Sequence, residues 1–152
     1  MPVTPTDSAP SPGSAREVVL AQHARLRTLL ASAEAVAGRY RAGDPVGAQL
    51  HRLLEDVRRA FAEHNRTEEE LLGPILREDF AWGEPRVRRM MEEHAGEHAL
   101  LRQVLAADDD TVARQLPDLV EEILAHMDAE ERTFLSPTVL RDPDGAAAGD
   151  EA

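Results

Sequence analysis

Between Leu50 and Ile75 the apolar positions fall in steps of three and four, through Leu50, Leu53, Leu54, Val57, Phe61, Leu71 and Ile75, with His64 and Glu68 in the same row. That spacing belongs to one face of an α-helix, so the row predicts a helix that turns His64 and Glu68, one turn apart, toward a core. Three other segments repeat the pattern. Ser14 and Glu17 read as a capping box opening a first helix that runs to about Tyr40, with Val19, His23, Leu26, Leu30, Ala33 and Ala37 inward. Gly43 is expected to end that helix, Asp44 to cap the second and Pro45 to take its first position. Gly73-Pro74 should kink or end the second helix, because proline lacks a donor and crowds the preceding turn. After a connection over residues 80–84, Pro85 starts a third helix with the row Val87, Met91, His94, His98, Leu101 and Leu105. Asp108, Asp109, Asp110 and Thr111 open the fourth, which should bend at or begin near Pro117. Its row is Leu116, Leu119, Ile123, His126, Glu130 and Phe134, and Ser136-Pro137 closes it.

Four amphipathic helices joined by short connections predict an all-α fold, an antiparallel up-down-up-down four-helix bundle. An aromatic content of 3% agrees with helices rather than a sheet. The bundle is expected over residues 14–140. Residues 1–13, rich in Pro, Ser and Thr, read as a disordered arm, and residues 141–152 as a solvated tail. HNRTEE from His64 and HMDAEE from His126 echo each other as a recurring site motif rather than a solenoid repeat.

A formal charge of −12 argues against nucleic acid or an anionic membrane surface as a partner. The absence of cysteine excludes thiolate metal sites, disulfides and Cys nucleophiles. All seventeen basic residues are Arg, so there is no lysine for a Schiff base or a P-loop. No run approaches a membrane span and the N-terminus lacks a basic-then-apolar pattern, so a cytoplasmic protein is expected.

Five of the six histidines lie on inward rows, and His51 does not. One core imidazole is readily satisfied by a neighbour. Five are not, because a helical interior spends its backbone donors and acceptors on itself and these rows are otherwise Leu, Val, Ile, Met and Ala. A metal supplies the missing partner for His23, His64, His94, His98 and His126, and for the carboxylates Glu68 and Glu130. Seven nitrogen and oxygen ligands are too many for one tetrahedral zinc and suit two six-coordinate first-row ions. With both carboxylates and an oxide or hydroxide bridging, roughly eleven of twelve positions are filled and one is left for an outside ligand. The stretch from His94 to His98 lacks the Glu that follows the first His in zinc proteases. No histidine has Glu three residues before it, as ferritin-like di-iron bundles require. Arg86, Arg88 and Arg89 read as a solvated helix face, and Met90 and Met91 as packing.

The series His23, then His64-x-x-x-Glu68, His94-x-x-x-His98 and His126-x-x-x-Glu130 resembles the hemerythrin family, in particular the HHE cation-binding domains, over residues 16 to about 140. The resemblance implies a centre of two non-haem iron ions with a bridging oxide or hydroxide, taking dioxygen or a related small oxidant, such as peroxide or nitric oxide, at one open iron. It implies that His94, His98 and His126 hold the full iron, that His23 and His64 hold the open one, and that Glu68 and Glu130 bridge. Oxygen-carrying members place the last carboxylate five residues after the histidine, which here is Glu131, whereas Glu130 fits the inward row and is the expected bridge. No further His or Tyr points to the open position as a proton donor. A binding or sensing protein is therefore expected ahead of a peroxide-decomposing enzyme, a metal buffer or a metal-stabilised bundle.

Overall fold

The computed structural model describes residues 10–79 and 83–142, and among these the chain is all helical, with no strand. Helix α1 spans Pro12–Arg41 and α2 spans Gly47–Thr67. A π-helical turn, Glu68–Leu72, joins α2 to the short α3, Gly73–Asp79. Then come α4, Gly83–Leu105, and α5, Asp109–Arg132. Helix α1 packs on α2 and α5, and α4 packs on α2, α3 and α5. No helix among the described residues is long and apolar enough to cross a membrane.

The helix ends differ from expectation in instructive ways. Ser11, not Ser14, caps α1, its side chain accepting from the Ser14 N–H at 3.2 Å with Pro12 in the first helical position. Gly43 does leave the helix, at φ +100°, where a side chain would be strained. Asp44 does not cap α2. It accepts from Arg39 Nε at 3.1 Å, and α2 begins two residues beyond Pro45 with Val46 at its N-cap. Gly83, rather than Pro85, starts α4, and a Cβ there would lie 1.8 Å from the Leu76 carbonyl oxygen, so α3 and α4 approach at a point only glycine admits. Residues 80–82 of the expected connection lie outside the described residues, as do 1–9 of the arm and 143–152 of the tail.

Neither interior proline breaks its helix outright. Pro117 sits inside α5, which Asp108 caps by accepting from Thr111 N at 2.9 Å. Proline cannot donate to the carbonyl four residues back, and that carbonyl, Ala113 O, accepts instead from Arg41 Nη1 at 2.6 Å. Pro74 is accommodated one turn earlier, where the ladder widens and Gly73 N–H bonds to Glu68 O. The widened turn inserts a residue, so the inward row beyond Glu68 runs through Leu72 and Leu76 rather than the expected Leu71 and Ile75. In α4 the row is Val87, Met90, His94, Glu97, Leu101 and Val104, with Met91 47% exposed and His98 beside the row.

Two apolar cores result. One gathers Leu26, Leu30, Leu54, Phe61, Leu101 and Ile123 with their neighbours. The other gathers Ala15, Val19, Leu72, Leu76, Val87 and Met90, closed by Leu135 and Leu140 from the turns after α5. Between them, on each long helix, lies a polar position: His23 in α1, His64 in α2, His94 in α4, and His126 with Glu130 in α5.

The substitution Arg41→Ala is expected to destabilise the chain by about 1–2 kcal/mol, because it strands the Ala113 carbonyl. In a Pro117→Ala background, where residue 117 can donate to that carbonyl, the same change should cost clearly less. Urea unfolding of the four variants measures the coupling.

Candidate metal centre

Four imidazoles and two carboxylates converge in the layer between the cores. His23, His64 and Glu68 are fully buried, and His94, Glu130 and His126 nearly so. All four histidines turn Nε2 inward. His23 Nε2 lies 3.1 Å from Glu130 Oε2 and 3.6 Å from Glu68 Oε1. His64 Nε2 lies 3.2 Å from Glu68 Oε1 and 4.0 Å from Glu130 Oε2. His94 Nε2 is 3.0 Å from Glu68 Oε2 and 3.7 Å from Glu130 Oε1, and His126 Nε2 touches Glu130 Oε1. The donors thus form two groups, one with His23 and His64 and one with His94 and His126. Both share Glu68 and Glu130, and the ligating atoms of each group lie within 4.8 Å of one another.

Each outward nitrogen meets an acceptor. His23 Nδ1 lies 2.8 Å from Glu131 Oε1, His64 Nδ1 3.2 Å from Gln22 Oε1, His94 Nδ1 3.4 Å from Glu69 Oε1, and His126 Nδ1 2.9 Å from Glu97 Oε1. A neutral imidazole that donates from Nδ1 to these acceptors keeps a lone pair on Nε2. The inward lone pairs then face carboxylate oxygens, acceptor against acceptor. A cation between them resolves the conflict, and outer partners that hold the tautomer are typical of metal-bound histidine.

The unpaired atoms say the same. His64 Nε2, His94 Nε2, His126 Nε2, both Glu68 oxygens and Glu130 Oε1 are buried without a hydrogen-bond partner. Buried polar groups left so are uncommon and call for an unseen partner. The donor set, imidazole with carboxylate and no sulfur, fits two first-row cations. Without cations, protons are the substitute. Burial would lower the pKa of His23, but Glu130, Glu68 and Glu131 outweigh it and raise it from 6.5 to about 9. Burial likewise opposes, and Glu130 with Glu68 or Glu97 overcomes, a rise to about 10 for His94 and for His126. Burial would raise Glu68, yet Glu130 and the surrounding imidazoles hold it well below the usual carboxylate range.

Of the seven residues read from the sequence, His23, His64, Glu68, His94, His126 and Glu130 come together, and His98 does not join them. Its ring lies 5.1 Å from that of Phe61, where burial and the nearby His94 lower its pKa. Glu131 sits outside the layer, held by Arg27 Nη1 at 2.8 Å as well as by His23. The outer partners Gln22, Glu69 and Glu97 were missed. Glu97 carried a usable signal, three residues after His94 and four before Leu101 on the inward row. Gln22 and Glu69 sit next to row positions and carried none. His51 lies apart, on Asp109 at 3.0 Å.

The chain matches the hemerythrin HHE cation binding domain over residues 14–136. No curated protein and no solved structure matches it.

The raised histidines give the metal-free chain a definite pH response. Stability contributed by His23, His94 and His126 is full below pH 6.5 and is lost as pH rises through about 9 to 10, while the depressed Glu68 contributes above the usual carboxylate range and loses its share only in acid. Urea unfolding of metal-free protein should therefore show stability falling from neutral pH toward pH 10. A flat profile would contradict the arrangement.

Proposed function

The chain belongs to the hemerythrin HHE cation-binding domain family, and on that premise we propose that it is a non-haem di-iron protein that takes up dioxygen or a related small oxidant, peroxide or nitric oxide, for sensing, storage or oxidative-stress response. The observation that carries the reading is the buried layer in which four inward Nε2 atoms oppose two carboxylates shared between two groups. His23 with His64 would hold one ion and His94 with His126 the other, with Glu68 and Glu130 each giving an oxygen to both. Bound there, an iron pair would supply the redox chemistry that uptake of a small oxidant draws on. The protein's part is to hold the imidazole tautomers through Glu131, Gln22, Glu69 and Glu97, and to keep bulk water out with the apolar layers above and below.

An up-down-up-down arrangement belongs to the same reading. Along α1 and α4 the apolar row passes from the Val19/Val87 core through the polar layer to the Leu26/Leu101 core, and along α2 and α5 the order is reversed. Such alternation is what successive antiparallel helices produce.

Loading with iron under anaerobic conditions, followed by metal counting and visible spectra on adding dioxygen, peroxide and nitric oxide, tests the function. Two irons per chain and a reversible dioxygen band are expected. Sustained gas evolution from peroxide would make it an enzyme, and a single colourless metal would remove the redox role.

The ligand set has its own test. His98→Ala should keep the iron count, whereas His64→Ala should lose iron. Glu97→Leu, which frees His126 Nδ1, should weaken retention about 10- to 100-fold in a competition with a chelator.

A further inference from the structure

The two groups of the polar layer offer a metal the same inner donors, two imidazoles each with oxygens of the shared Glu68 and Glu130. They differ one contact further out. In the His23/His64 group, His64 Nδ1 meets the amide oxygen of Gln22, a neutral acceptor whose Nε2 donates to Thr67 Oγ1 at 3.0 Å. His23 Nδ1 meets Glu131 Oε1, but that same oxygen accepts from Arg27 Nη1 at 2.8 Å, and the Glu131 side chain is 29% exposed. Arg27 in turn reaches the exposed Asp128.

In the His94/His126 group both outer acceptors are carboxylates. Glu97, 2.9 Å from His126 Nδ1, is buried, its second oxygen lacks a hydrogen-bond partner, and among the described residues no arginine pairs with it. Glu69, 3.4 Å from His94 Nδ1, likewise has no arginine partner there. Glu93, 3.7 Å from His126 Nδ1, is paired with Arg89. Two carboxylates without an arginine thus stand behind one pair of rings. Behind the other stand an amide and a carboxylate shared with Arg27.

A ring that donates from Nδ1 to an anion becomes a stronger electron donor at Nε2, and buried negative charge that no cation offsets favours a divalent ion beside it. We propose that the two positions of the centre are unequal and fill in order: a divalent cation occupies the His94/His126 position first and is held there about tenfold more tightly, with Glu97 as the positioning residue that sets the difference. The order presupposes the two-ion reading of the layer and ranks its two halves.

Zinc serves as the probe, titrated into metal-free protein and followed by nitrogen NMR of isotope-labelled histidine. At one equivalent the Nε2 signals of His94 and His126 should move to metal-bound positions, and those of His23 and His64 should follow with the second. Glu97→Gln keeps an acceptor for His126 Nδ1 but removes its charge, so the lead should shrink about tenfold and all four signals should move together. Gln22→Glu adds charge behind His64, where the Thr67 hydroxyl can rotate to donate to it, and should shrink the lead with Glu97 intact. Circular dichroism establishes that each variant is folded. A merely structural role for Glu97 would weaken both positions alike and leave the order untouched. Simultaneous movement in the native chain, His23 and His64 moving first, or an undiminished lead in either folded variant overturns the proposal. Zinc has no redox chemistry, so a chain that loads in this order but takes up no dioxygen refutes the oxidant reading alone. Dioxygen uptake by a chain that loads zinc in the opposite order refutes the ranking alone.

Discussion

The structure turns on a conflict between acceptors. Four imidazoles, each with an outer acceptor at Nδ1, present Nε2 to two carboxylates in a layer between two apolar cores. In solvent such groups would part or be hydrated. Here four helices hold them within contact distance, and positive charge has to enter. Four extra protons or two divalent cations bring the same charge. Protons must be taken up at pKa values near 9 to 10 for three of the histidines, against burial that favours the neutral ring. Cations accept the lone pairs directly and let each ring stay neutral.

Apolar packing makes that conflict possible. Leu26, Leu54, Phe61, Leu101 and Ile123 on one side, and Val19, Leu72, Val87 and Leu135 on the other, hold the helices together on either side of the polar layer. Burying those side chains contributes roughly 25 cal/mol per Å² removed from water, spread over two cores, and desolvating the carboxylates draws on it. The outer carboxylates favour positive charge in the layer, whether protons or cations bring it. Glu97 is buried against His126, and Glu131 joins His23 to Arg27, so the layer's charge is coupled to the ion pairs around it.

Much of this was legible in the residues. The rows of α1 and α5 are nearly as read, because each helix keeps one period over its length, although α1 starts from Ser11 rather than from Ser14. Of the seven side chains read as ligands, six lie close together, contributed by all four long helices and the π-turn. The failures share a physical origin: helical spacing alternates three and four, so α4 offers two nearly equivalent edges. Met90, Glu97 and Val104 lie on one, and Met91, His98 and Leu105 on the other. The row read from the sequence follows the second, whereas the structure buries the first, where Glu97 meets His126 at 2.9 Å. Beyond Glu68 the expected row slipped by one residue because a π-turn changes the period itself. Pro74 announced some disturbance there without saying on which side of Glu68 it would fall.

That turn also carries an evolutionary consequence. One residue advances an α-helix by about 100°, so the single extra residue accommodated in Glu68–Leu72 lets α2 and α3 obey different rotational settings. The stretch before it is timed to the Phe61 core, and the stretch after it to the Leu76 core. A one-codon deletion within residues 69–72 would straighten the helix, but it would also swing either the ligand-bearing half or the Leu72/Leu76 half out of phase with its neighbours. The irregular turn is thus a phase joint, whose length is fixed by the two rotational settings that it connects.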